Sequence, residues 1–96
     1  MSKYEAKVCI SRNSGHYYNV TVLTEQKNIN AALDVVNNIC AGLVSITEHT
    51  YTIGYIGTRM LPSVYSIALD YDSASNKLQI VGEQAENFIK WLRDES

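Results

Sequence analysis

Two runs of strict alternation dominate the first quarter of the chain and leave it little choice of fold. In residues 4–11, Tyr4, Ala6, Val8 and Ile10 fall on one side, and Glu5, Lys7, Cys9 and Ser11 on the other. In residues 16–24, Tyr18, Val20 and Val22 face one way, and Tyr17, Asn19, Thr21 and Leu23 the other. Successive side chains alternate across a strand, so each run reads as a half-buried strand. Between them, Arg12-Asn13-Ser14-Gly15 supplies Asn and Gly, which tolerate positive φ in a turn. The result is a β-hairpin with one apolar face that must be covered.

Two helical stretches can cover it. Asn28 is an N-cap residue, and Ile29, Ala32, Leu33, Val36, Ile39 and Cys40 follow at helical spacing. Gly42 is predicted to end this helix, because a left-handed residue after the last turn suits glycine. From Glu83 to Asp94, Ala85, Phe88, Ile89 and Leu92 share a second helical face. Glu83 and Glu86 near its start, and Lys90 and Arg93 near its end, complement the helix dipole.

The middle of the chain reads as β-structure. Val44 and Ile46 share one parity, while Tyr51, Ile53 and Tyr55 share the opposite one, so a turn or bulge is predicted near Thr47–Thr50. Residues 57–62 read as a loop, and residues 64–71 as a strand with Tyr65, Ile67, Leu69 and Tyr71 inward. Asp72 to Asn76 reads as a hairpin loop, with Asn76 left-handed, and residues 77–81 as the last strand. The predicted fold is α+β: a two-layer sandwich of a mostly antiparallel sheet of five or six strands, with two amphipathic helices on one face, in the order ββαβββα. At 96 residues the chain is expected to make a single domain over residues 1–96.

Charge and cysteine usage narrow the partners. The net charge is −2, and eight basic residues are scattered among ten acidic ones. Binding to a phosphate backbone needs concentrated Lys and Arg, so nucleic acid is a poor partner. No apolar run approaches the ~20 residues of a membrane span, and residues 1–5 carry no apolar signal region. A cytoplasmic protein with no membrane contact is expected. Cys9 and Cys40 lie far apart and read as free thiols. The spacing of His, Cys, Asp and Glu implies no metal and no cofactor.

Candidate sites are few. Gly54-Tyr55-Ile56-Gly57-Thr58-Arg59 resembles a backbone cradle for an anion, with Gly57, Thr58 and Arg59 as contacts and His49 nearby. The bland alternative is a strand bulge at Gly54 and a turn at Gly57. Parity puts Tyr4, Tyr18, Tyr51, Tyr55, Tyr65 and Tyr71 on the covered face and leaves Tyr17 exposed. Tyr17, Leu23, Ile56, Val64 and Val81 fall on the uncovered face, and Trp91 lies off the main helical stripe. Such apolar positions form an interface if they are contiguous. Cys9 with His16, and Asp70 with Asp72, are the only pairs suggesting catalysis, and neither has an evident third member.

These features point to a small non-enzymatic interaction or inhibitor-type protein, homo-oligomeric and acting on a protein partner. A binding module for a phosphate-bearing ligand such as a nucleotide, at the Gly54–Arg59 loop, is the alternative. Single-stranded nucleic-acid binding through sheet aromatics is a further one.

Overall fold

The computed structural model describes residues 1–45, 47–60 and 64–93. It has the predicted class and element order: β1 (Ser2–Arg12), β2 (Tyr17–Gln26), α1 (Ile29–Val44), β3 (His49–Thr58), β4 (Ala68–Asp72), β5 (Lys77–Val81) and α2 (Ala85–Arg93). The five strands form one sheet in the order β3-β1-β2-β4-β5. The hairpin β1–β2 is paired along its whole length, from Ser2 opposite Gln26 to Ser11 opposite Tyr17. β3 pairs antiparallel with β1, and β5 antiparallel with β4. The β2–β4 pair is parallel, with Thr21 opposite Ala68 and Thr24 opposite Tyr71.

That parallel pair dictates the path of the chain. β2, β3 and β4 all run the same way, so β2–β3 and β3–β4 are both crossovers, in opposite directions across the sheet. Two crossovers of the same hand that run in opposite directions must use opposite faces. The first carries α1 over the face of Val8, Ile10, Val20 and Val22, where Ala32, Val36 and Cys40 are buried. The return segment takes the other face: residues 64–67 border the same hollow as Lys7, Cys9, Asn19 and Thr21. The Tyr65 ring centre lies 5.7 Å from the Lys7 ammonium and 5.9 Å from the Arg59 guanidinium carbon. Leu23, on the face away from the helices, is only 4% exposed.

A bulge in β3 changes which of its side chains meet the core. Lys7 faces Tyr55, but the next residue, Val8, faces Ile53, so Gly54 is the extra residue. Before it, Tyr51 and Ile53 point to the helices; after it, Ile56 does. Tyr55 is turned out and is 52% exposed. The parity reading continued Tyr51 and Ile53 straight through to Tyr55, and so placed both Tyr55 and Ile56 on the wrong faces.

The helix ends also differ from expectation. Asn28 caps α1 as predicted, its side-chain oxygen accepting from the Ala31 amide at 2.8 Å. The helix runs past Gly42 to Val44 and closes at Ser45, whose hydroxyl donates to the Gly42 carbonyl at 3.0 Å. Leu43 and Val44, packed against the core, keep that last turn helical, so the strand expected from Val44 does not begin there. Ile46, residues 61–62 and Asp94, which belong to the predicted strand, loop and second helix, lie outside the described residues. The segment from Gly54 to Thr58 is strand rather than loop, and β4 starts only at Ala68. In α2 the buried stripe is Ala85, Phe88 and Trp91. Asp72 holds its turn as expected, accepting from the Ala74 amide and the Ser75 hydroxyl, and Asn76 has φ of 53°. Among the described residues no helix is long and apolar enough to cross a membrane.

Candidate functional site

Where α1 ends, the chain turns into β3 beside α2, and there the two helices leave a groove of about 890 Å³ over β1, β3 and β5. Its apolar lining is Leu43 from α1, Ile80 from β5, and Ile89 and Leu92 from α2. Its polar lining is Arg12, Thr47, Glu48, His49 and Arg93. Small-molecule and side-chain pockets share this make-up: mostly apolar, ~300–1,000 Å³, with a few fixed polar groups. The groove exists because α2 carries a wider apolar arc than one contact needs. Phe88 and Trp91 go into the core, while Ile89 and Leu92, one position on, face the groove.

His49 is its most unusual wall. The side chain is 5% exposed, and its ring packs edge-on to Trp91 with centres 4.4 Å apart. Among the described residues neither ring nitrogen has a hydrogen-bond partner, and Trp91 Nε1 has none either. Burial holds the imidazole pKa below its ordinary 6.5, the Arg12 charge lowers it further, and Glu48 pulls the other way. The ring is therefore neutral at pH 7, with one N–H to donate and one nitrogen to accept. A buried polar atom without a partner costs ~1–3 kcal/mol, so these nitrogens favour any group that can bond to them.

A neutral, buried histidine also sets a pH dependence. The unfolded chain protonates His49 near 6.5, whereas the folded chain resists it, so unfolding takes up a proton as the pH drops. Its contribution to stability is complete above pH 6.5 and is lost as the pH falls from there toward the lower folded value. Urea titrations at pH 7.5 and 5 are expected to show the wild type losing stability on acidification. His49→Phe should lose less, and an equal loss in both would remove His49 as the cause.

The other sequence candidates scatter. His49 begins β3 and Arg59 follows its far end, roughly 30 Å away at ~3.3 Å per strand residue. The Gly54–Arg59 stretch is extended along the sheet: Gly57 sits opposite Glu5, Thr58 opposite Tyr4, and the Arg59 amide donates to the Lys3 carbonyl at 2.9 Å. Gly57, Thr58, Arg59 and His49 thus do not form one cradle. On the outer face Tyr17, Val81 and Val64 are exposed, Val64 at 97%. Leu23, Ile56 and Trp91 are not. Leu23 lies on a face that also carries residues 64–67, the bulge turns Ile56 inward, and Trp91, 7% exposed, packs in the core against Tyr18, His49 and Phe88.

Cys9 and His16 do not come together as a pair. Cys9 belongs to the outer face, opposite Asn19 and Thr52, while the His16 ring lies against Tyr18 and Trp91 on the helix side. Cys40 is fully buried, and burial pushes its thiol up to about 11, so it stays protonated. Among the described residues no group of His, Cys, Asp and Glu could hold a metal ion.

Sequence reasoning singled out His49 but missed Arg12, Leu43, Ile80, Ile89, Leu92 and Arg93 as its companions. The available signal was the doubled apolar arc of α2, where Phe88-Ile89 and Trp91-Leu92 repeat at helical spacing. Comparison with protein-family models, curated proteins and solved structures finds no match to the chain.

Proposed function

We propose that the chain is a small non-enzymatic binding protein of the inhibitor type, which acts by engaging a partner protein through the α1–α2 groove. The partner would insert apolar side chains flanked by an acidic group. The observation carrying this reading is the groove itself: four apolar residues around a buried, neutral His49, with Arg12, Arg93 and, as the one acidic group of its described lining, Glu48. Apolar anchors in a desolvated pocket supply most of the energy in protein interfaces, and rim charges select the partner. A phosphate-bearing ligand at Gly57, Thr58 and Arg59 has less support, because these residues lie along an extended strand paired with β1 and not in a loop that gathers amides around one point. Stacking of single-stranded bases has less too, since Tyr18 and Tyr51 pack on the core and leave only Tyr17 and Tyr55 strongly exposed.

The test is a pair of immobilised baits, wild type and Ile89→Glu, exposed to the same cell extract. Ile89 is half-buried at the groove wall, so a carboxylate there would sit against the apolar insert. The wild type is expected to retain a protein in fixed ratio, and Ile89→Glu to lose it by tenfold or more. Equal retention by both baits, or nothing held by the wild type, would contradict the reading.

A further inference from the structure

The two edges of the sheet are treated very differently. β5 is five residues long and begins with Lys77. β3 is ten residues long, His-Thr-Tyr-Thr-Ile-Gly-Tyr-Ile-Gly-Thr, with no Asp, Glu, Lys, Arg or Pro. Soluble proteins normally blunt an exposed edge with short length, lysine or proline, because its free amides and carbonyls template pairing with another strand. β3 has none of these devices. Among the described residues no backbone hydrogen bond outside the sheet ladder reaches residues 50–58.

The charges return immediately beyond each end, as Glu48 and Arg59. Antiparallel pairing of β3 with itself at full overlap sets His49 against Thr58 of the second copy, Thr50 against Gly57, Tyr51 against Ile56, and Thr52 against Tyr55. In a regular strand those partners have opposite parity and would point to opposite faces. The Gly54 bulge removes that conflict. It places His49, Tyr51, Ile53, Ile56 and Thr58 on the helix face and Thr50, Thr52, Tyr55 and Gly57 on the outer face. Every directly opposed pair away from the axis then shares a face. The same register brings Glu48 level with Arg59 of the second copy, twice over by symmetry.

We infer that the chain forms a two-fold dimer by antiparallel β3–β3 pairing, which joins two five-stranded sheets into one continuous sheet with all four helices on one side. The occupant of the edge is a second copy because bulge, face pattern and end charges are complementary to themselves. The inference stands on β3 and not on the groove, so failure of either leaves the other to be judged by its own test.

Sedimentation equilibrium is expected to give twice the 10.8 kDa monomer mass, with concentration-dependent dissociation. Thr52→Glu combined with Tyr55→Glu sets like charges directly opposite across the axis and should yield a monomer. Both side chains are exposed, so the fold should persist, with Trp91 emission unchanged as the check. Glu48→Lys and Arg59→Glu should each weaken dimerisation about tenfold, and the two together should restore it. A monomeric wild type, a dimer that survives the double glutamate variant, or charge reversals that do not rescue one another would each overturn the pairing.

Discussion

Phe88→Ala is expected to cost about 3–5 kcal/mol, the range for emptying a fully buried phenylalanine site. Phe88 is the largest completely buried side chain, at 0% exposure. It packs edge-on to Tyr18, with ring centres 5.7 Å apart, and lies 6.2 Å from Trp91. α2 is nine residues long, too short to be stable alone in water. Ala85, Phe88 and Trp91 fix it to the sheet, so Phe88 holds both the core and one wall of the groove. Domains of this size have stabilities of ~5–15 kcal/mol, and each kcal/mol shifts Tm by ~4–8 °C. A fall in Tm of more than ~12 °C should follow, together with a red shift of the emission of Trp91, the only tryptophan. A loss below about 1 kcal/mol would mean that α2 docks without this ring.

Gly82→Ala should be nearly as damaging, through the backbone instead of the core. Gly82 has φ of +119°, where an L side chain is strained by ~1–3 kcal/mol. A Cβ there would collide with the Ser66 carbonyl, coming 2.8 Å from its carbon and 2.9 Å from the Tyr65 carbonyl oxygen. Those are backbone atoms and cannot rotate away. The same Ser66 carbonyl accepts from the Gln84 amide at 2.9 Å, which ties the start of α2 to the return segment. Strain and overpacking together give an expected loss of about 3 kcal/mol or more. Gly15→Ala is the control. Its φ is also positive, at 92°, but no atom lies within 4 Å of the added Cβ, so only the backbone cost applies. Urea unfolding of the two variants side by side checks this, and equal losses would show that the Ser66 contact contributes nothing.

The residues that reveal the fold from sequence are those whose neighbours repeat a simple period. Val8, Ile10, Val20 and Val22 alternate, Ala32, Val36 and Cys40 step helically, and all seven are buried where their periods place them. Asn28 and Asn76 likewise occupy the cap and the left-handed turn that their side chains favour. What was not legible depended on long-range pairing. A bulge at Gly54 is among the sequence readings and the register bears it out, but its effect on Tyr55 and Ile56 follows only once Lys7 and Val8 are known to lie opposite Tyr55 and Ile53. The parallel β2–β4 pair, which brings residues 64–67 onto the outer face, has no local mark in the sequence between the strands it reorders. Gly42 stays helical because Leu43 and Val44 beyond it find core contacts, a tertiary effect that overrides its preference for helix ends. The groove was the least legible feature. It joins Arg12, Leu43, His49, Ile80 and Leu92 from five separate elements, and only the doubled apolar arc of α2 hinted at it.

The α1–α2 groove as a binding site for an apolar group bearing an anion can be tested without knowing the partner. The probe is 8-anilinonaphthalene-1-sulfonate, an aromatic body with one sulfonate, titrated into isotope-labelled protein while amide chemical shifts are followed. Saturable shifts confined to Leu43, His49, Ile80, Ile89 and Leu92, and abolished in Ile89→Glu with the remaining spectrum intact, are the predicted result. No saturable shift, or shifts centred on Lys7, Cys9 and Tyr65 of the opposite face, would contradict it.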